Sequence, residues 1–351
     1  CEEAFTAESP HVALSLAGTD IISNGSGSHH ELRKLNKRVE LIRGASNKCG
    51  GAYMYSNMIG CDGGRLYYDG CSMIFVNGLP LAQAAQFSMR EVEVISATID
   101  LDEIRSHRAA VSSRSIQAAE TTRKFPFVDI PEFYLCSQRC GSGKGDDNGD
   151  GKPTTQTAPR VLRPSVPLEK GIFYHDPMEE IMRGPACWLW DYLRRSGATS
   201  FFLPLSGGAD SASTAAIVGA MCKLLCEEVK AANATVIADL KRILGTDEVA
   251  SKTPTELCNC LLQTCYLATT NSSVETRERA AALANELGAY HSKINIDLIT
   301  SAILKVFSMT FGRTPNYLSR GGTWAEDMAL QNIQARTRMV MSYLLAQLLP
   351  W

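Results

Sequence analysis

The residues best placed to do chemistry stand together in "PLSGGADS" (204–211), after the apolar run "FFL" and before a small-residue stretch. The pattern reads as strand, glycine turn, helix. Gly207 and Gly208 would let the backbone turn tightly and approach phosphate oxygens with no Cβ in the way. Ser206 and Ser211 offer hydroxyls, and the first amides of the following helix add donors and a partial positive charge. Pro204, Leu205 and Ala209 complete the expected phosphate-binding loop. Asp210 is unusual there, because a carboxylate repels phosphate; it fits if it holds a Mg2+ that bridges the two. The loop has no lysine, so it does not suit γ-phosphate transfer. Gripping the terminal pyrophosphate of ATP instead suits cleavage between the α- and β-phosphates, which leaves an adenylated carboxylate. The plain alternative is a serine- and glycine-rich turn.

Such a loop needs a sheet to carry it. "MEEIMRGPACWLWDYLRRSG" reads as an amphipathic helix closed by Gly197, and "ASTAAIVGAMCKLLCEEVKAA" as a long one. "LLQTCYLAT" (261–269) reads as a buried strand. "NSSVETRERAAALANELG" reads as a helix with Ser272 at the N-cap and Glu275 closing a capping box. Its apolar stripe is Ala280, Leu283, Ala284 and Leu287, with Gly288 as the stop. "AYHSKINI" reads as a further strand. Strand and helix in alternation imply a parallel sheet with right-handed crossovers, and ligands bind beyond the carboxyl ends of such strands.

The first part reads as mixed β and α. Val12–Leu16 and Thr19–Ile22 are short apolar runs, followed by the turn-rich "SNGSGS". "HHELRKLNKRVELI" carries a helical pattern at Leu32, Leu35, Val39 and Leu41. Asn77-Gly78 between two apolar runs predicts a hairpin with a type I′ turn, and "VEVISATIDL" (92–101) a strand. Between 137 and 160 the sequence becomes glycine-rich, polar and aperiodic, as a linker or disordered insertion would. Two decoys lie there. "GSGKG" lacks the Ser or Thr of a P-loop, and "DDNGDGKPTTQT" lacks the final Glu of a calcium loop. The expected domains are 1–124, a linker over 125–170, and 171–351.

With 351 residues, 45% of them hydrophobic and 21% charged, the chain can fill two globular cores. Its net charge of −2 argues against a nucleic-acid-binding surface that dominates the chain. No apolar run approaches the roughly 18 residues of a membrane span. The 12 cysteines match neither a short disulfide scaffold nor a four-ligand zinc spacing, so they read as reduced, cytoplasmic thiols. The sequons at Asn24, Asn233 and Asn271 then read as chance. The start "CEEAFTAESP" has no signal-peptide core, and both ends read as cut.

"SGGADS" after an apolar strand resembles the signature of the N-type ATP pyrophosphatases. "YLATTNSSVETRERAAALANELGAYHSKINID", "WAEDMALQNIQARTRMVMSYLLAQLLPW" and "GPACWLWDYLRRSGA" narrow the resemblance to the eukaryotic glutamine-dependent NAD synthetase family. "CEEAFTAESPH", "NGSGSHHELRK" and "GCDGGRLYYDGCSM" resemble that family's nitrilase-type glutaminase domain. The resemblance implies an α/β chain: the C-terminal half of a nitrilase-like α-β-β-α sandwich, then a Rossmann-like synthetase domain. It implies ATP-dependent amidation of deamido-NAD, with an adenylate at Ser206's loop and ammonia free or drawn from glutamine.

By the same resemblance Cys1 is the glutaminase nucleophile, whose thiol needs a nearby cation or base, with the Glu2 amide aiding the oxyanion. Ser28 is a glutamine-binding residue or a turn serine. The family's partner glutamate and lysine lie upstream of the cysteine, beyond this chain. Asn332 and Arg336, at i, i+4 in "QNIQARTRM", would meet the dinucleotide; the alternative is a solvated basic face. The resemblance suggests a homo-oligomer and no nucleic-acid or membrane partner. Two other readings stand beside it. One is an incomplete fragment that binds nucleotide without turnover. The other is an asparagine-synthetase-like enzyme, whose usual Cys-Gly-Ile start "CEE" does not match.

Overall fold

The computed structural model describes residues 2–121, 125–126, 128–131 and 163–348. Cys1, Cys136, Cys140, the 137–160 insertion and both decoy motifs lie outside these residues. The chain divides into two compact units. Unit 1 comprises Cys1–Ile59, Tyr68–Ser88 and Val92–Pro177; unit 2 comprises Gly60–Tyr67, Met89–Glu91 and Met178–Trp351.

In chain order the first elements are α1 (Pro10–Leu16), β1 (Ile21–Ser26), α2 (Lys34–Cys49), β2 (Ala52–Asn57), β3 (Ile59–Cys61), β4 (Tyr67–Asp69), β5 (Met73–Val76), β6 (Leu79–Gln83), α3 (Leu101–Ala109) and α4 (Ser112–Glu120). The main sheet of unit 1 has the order β1-β2-β5-β6. β1 runs parallel to β2, and β5 and β6 pair antiparallel. α2 lays Leu35, Val39 and Ile42 against Tyr53, Tyr55, Met73 and Phe75 to form the core. Each such aliphatic side chain contributes about 1.5–3 kcal/mol on burial. The β5–β6 turn is as expected, with Asn77 at φ 49° and Gly78 at φ 87°.

Two readings of this region are corrected. "SNGSGS" is not all turn: Ser23–Ser26 finish β1, paired with Met54–Asn57, because pairing overrides weak local propensity. Residues 92–100 form no strand. Val92 and Val94 are exposed, and the segment is tied by Thr98 bonding Ser165 rather than by a ladder. Asp100 then caps α3 by accepting from the Asp102 amide. In α2 the stripe uses Ile42, while Leu32 lies before the helix and is exposed.

The remaining elements are α5 (Pro177–Ser196), β7 (Phe201–Pro204), α6 (Ala209–Lys230), α7 (Ala234–Leu244), α8 (Pro254–Leu261), β8 (Leu262–Ala268), α9 (Val274–Leu287), β9 (Tyr290–Asn295), α10 (Asp297–Phe311) and α11 (Trp324–Leu348). The sheet of unit 2 has the order β7-β8-β9, parallel throughout. Every residue of β8 is buried, as a central strand covered on both faces requires. α9 ends at Gly288 in the left-handed region, but its N-cap is Ser273, one residue later than expected. Glu275 closes no capping box there and pairs with Arg279 instead. A capping box does form at Thr253–Glu256 in front of α8.

α6 corrects the hydropathy reading, since its 22 residues include a stretch long and apolar enough to cross a membrane. Its apolar face is that of a core helix: Ala215, Val218, Met221, Cys222 and Leu225 are buried, and α6 packs on α7, α8 and α9. The nine described cysteines are all free. Burial pushes the Cys71 thiol up to about 11 and the Cys187 thiol up to about 12.

Candidate functional site

The loop Ser206–Ser211 leaves the carboxyl end of β7 and enters α6. Its start is fixed by the buried Leu205, whose amide donates to the Cys265 carbonyl at 3.0 Å and so prolongs the ladder with β8. Ser206 and Ser211 then close on each other. Their hydroxyls are 3.0 Å apart, the Ser206 amide donates to Ser211 Oγ at 3.3 Å, and Ser211 Oγ donates to the Gly208 carbonyl at 3.1 Å. The Gly208 amide donates to Ser206 Oγ at 3.3 Å. Gly208 is the N-cap of α6 and supplies no side-chain cap, so the amides that open this helix are open to water or an anion.

Gly207 has φ +77°, and a Cβ there would lie 2.0 Å from the Thr276 carbonyl oxygen on α9. Only glycine fits. Pro204, Ser206, Gly208, Ala209 and Asp210 are exposed around the loop, so a ligand can reach it. Asp210 sits in the first turn of α6. Among the described residues no three His, Cys, Asp or Glu side chains gather into a metal site. The donor set therefore fits an ion such as Mg2+ only as one hard carboxylate completed by phosphate oxygens and water.

Asn332 and Arg336 share one face of α11. They line a cavity of about 330 Å³ whose other walls, among them Ile299 and Ile303 on α10 and Val340 and Met341, are mostly apolar. Neighbouring Arg338 goes elsewhere: its Nε donates to the Leu267 carbonyl near the end of β8, at 3.2 Å. The Thr270 amide donates to Asp297 Oδ2 at 2.9 Å, which ties the end of β8 to the start of α10. Thr276 carried no sequence signal as a neighbour of the loop, because it arrives from a separate element, α9.

In unit 1, Cys1 lies outside the described residues. Ser28 is buried, and its hydroxyl has no hydrogen-bond partner among the described residues. Its backbone is held at both ends by Asn57, whose Oδ1 accepts from the Ser28 amide at 2.8 Å and whose Nδ2 donates to the Ser28 carbonyl at 3.0 Å. Behind Asn57 lies the buried Asp69. Burial alone would raise its carboxyl, but the His30 ring, the Arg38 guanidinium and the Gln86 amide hold it below the usual carboxylate range. Next to Ser28 on the outer side, Glu31 contacts Lys34 at 3.2 Å and His29 at 2.8 Å. The hydrogen bond from Lys34, then that from His29, lowers the Glu31 carboxyl.

The structure gives a mixed α/β unit and a unit built on a parallel sheet, and family comparison matches each to a family. Residues 1–109 match the carbon-nitrogen hydrolase family, and residues 181–349 match NAD synthase. The whole chain is 49% identical over 353 residues to the glutamine-dependent NAD(+) synthetase of Saccharomyces cerevisiae, covering 47% of that protein. It is 46% identical to the mouse enzyme of that name, covering all of this chain and 45% of that one. A crystal structure of a glutamine-dependent NAD(+) synthetase from Cytophaga hutchinsonii shares the fold at a TM-score of 0.66 and 21% identity. It matches 95% of this chain and 44% of its own. Over its whole length the chain is similar to glutamine-dependent NAD(+) synthetases, and it spans about half the length of the curated relatives it matches. The asparagine-synthetase-like reading finds no support in these relatives.

Proposed function

We propose that unit 2 condenses ATP with the nicotinate carboxylate of deamido-NAD, and that unit 1 supplies ammonia from glutamine. The observation that carries the reading is the Ser206–Ser211 loop, exposed at the carboxyl end of β7 and followed by a helix with no side-chain cap. In this reading the carboxylate attacks the α-phosphorus, the bond to the β-phosphate oxygen breaks, and pyrophosphate leaves into the loop. Ser206 and Ser211 hydroxyls and the α6 amides stabilise the charge that builds on that leaving group. Ammonia then attacks the acyl adenylate, AMP departs, and the amide of NAD remains.

Asp210 would hold a Mg2+, which when bound screens the phosphate charge. Asn332 and Arg336 would meet the dinucleotide from α11. Cys1 would attack the glutamine amide and release ammonia, with Ser28 at the glutamine site; water then frees glutamate from the thioester. Residence in the cytoplasm and assembly into a homo-oligomer belong to the same reading.

The test is pyrophosphate release from Mg-ATP and deamido-NAD, with ammonium or glutamine as nitrogen source. Release with ammonium supports the assignment of unit 2, and release with glutamine supports that of unit 1. Silence with both, in a chain that melts cooperatively, overturns the reading.

A further inference from the structure

β8 holds the start of the phosphate loop by one ladder bond, and through a side chain it also holds the turn of α9 on which the loop rests. The Cys265 carbonyl holds the Leu205 amide at the start of the loop. The next residue, Tyr266, is 5% exposed and sends its hydroxyl to the first turn of α9. There it lies 2.8 Å from Thr276 Oγ1 and donates to the Ser273 carbonyl at 3.4 Å. Thr276 Oγ1 in turn donates to the Ser273 carbonyl at 3.0 Å, and the Thr276 amide donates to Ser273 Oγ at 3.4 Å. This turn of α9 is the surface against which Gly207 rests, with the Thr276 carbonyl where a Cβ would be.

From this chain of contacts we propose that Tyr266 is a positioning residue for the phosphate loop, acting through Thr276. The inference rests on the reading of Ser206–Ser211 as the pyrophosphate-binding loop. The Tyr266 hydroxyl fixes the rotamer of Thr276 and the height of its peptide, and the peptide sets where Gly207 turns. Gly207 in turn sets where the Ser206 hydroxyl and the Gly208 amide point. Tyr266 itself touches no part of the loop in any hydrogen bond among the described residues, so its influence has to pass through α9.

The experiment measures competition by inorganic pyrophosphate and by AMP against a fluorescent ATP analogue on the full chain. Parent, Tyr266→Phe, Thr276→Val and the double variant are compared. Tyr266→Phe keeps the ring in the core and removes only the hydroxyl. Pyrophosphate is expected to bind about tenfold more weakly to each single variant, the effect of one lost hydrogen bond on a preorganised site, with AMP unchanged. Because both residues act along one path, the double variant should be no weaker than either single.

Parent binding of pyrophosphate that survives Tyr266→Phe undiminished overturns the positioning role and leaves the loop assignment intact. A loss equal for pyrophosphate and AMP, or a double variant whose losses add, overturns it too, since either marks a general loosening of unit 2. A parent that binds neither competitor overturns the loop assignment itself. Should Thr276→Val fail to fold, Thr276→Ser keeps the hydroxyl and must then bind pyrophosphate as the parent does.

Discussion

Arg38 Nη2 donates to Asp69 Oδ2 at 2.5 Å, with both side chains shut away from solvent. The pair joins α2 to the end of β4, and Gln86 and Asn57 satisfy further lone pairs of the carboxylate. Removing one member leaves a buried charge uncompensated, which costs about 3–5 kcal/mol. Asp69→Ala is therefore expected to lower the urea midpoint of unit 1 strongly at pH 7. The pH dependence has a definite sign. The folded Asp69 carboxyl lies below its usual value of ~3.9, so the unfolded chain takes up the proton first. Its contribution is complete above about pH 5 and is lost as pH falls through the folded value. The gap between parent and variant should close in acid; a gap constant from pH 7 to pH 3 would count against the pair.

Gly207 faces a separate constraint. At φ +77°, with the Thr276 carbonyl 2.0 Å from a would-be Cβ, alanine meets both backbone strain and a backbone clash. The strain alone costs about 1–2 kcal/mol, and the clash can be relieved only by moving the loop or α9. Gly207→Ala is expected to weaken ATP binding by more than about tenfold, measured by titration of a fluorescent analogue. At Gly208, where an added Cβ meets nothing closer than Ser206 Oγ at 3.4 Å, alanine should be tolerated far better.

That contrast shows how far the sequence could be read. The strand–glycine–helix order of 201–213 fixed where the loop stands, because local pattern decides local structure. It could not tell which glycine is indispensable, since the clash partner Thr276 lies far along the chain. The parallel sheet was legible from β8, α9 and β9, whose lengths and caps alternate clearly. Residues 92–100 were misread because β-branched alternation signals a strand only where a partner strand exists, and among the described residues none pairs with them. Ser28 was singled out by family resemblance alone, and its clamp by Asn57 depends on β1 pairing with β2. Asp69 and Arg38 carried no signal at all, since a buried ion pair between distant elements looks like any two surface charges.

The thiols give a test of burial by reactivity. Desolvation raises Cys71 to about 11 and Cys187 to about 12, so at pH 8 almost none of either is thiolate. Iodoacetamide at pH 8 is expected to leave both unlabelled in the native chain and to label both in denaturant, read by peptide mass mapping. Raising the pH to 9.5 should change little, as that is still below both values. Rapid native labelling of either residue would show that the core around it opens.

Asp191 on α5 binds a backbone amide and two arginines at once. Its Oδ2 accepts from the Cys61 amide at 2.7 Å and from Arg195 Nη1 at 3.1 Å, and Oδ1 accepts from Arg194 Nε at 2.8 Å. Gly60, at φ +112°, passes so close that an added Cβ would lie 2.7 Å from Oδ2. Burial opposes the charge on Asp191, but the Cys61 amide and the two arginines outweigh it and hold the carboxyl low. Asp191→Ala leaves the buried Cys61 amide without its acceptor, and the loss of charged hydrogen bonds costs about 2–3 kcal/mol. For a unit of this size that corresponds to a melting point lower by about 5–10 °C. Asp191→Asn keeps an acceptor for the Cys61 amide while removing the charge, so it should recover part of the loss. Scanning calorimetry of the two variants separates the terms: equal losses would mean that the amide contact contributes nothing, and no loss in Asp191→Asn would mean that the arginines contribute nothing.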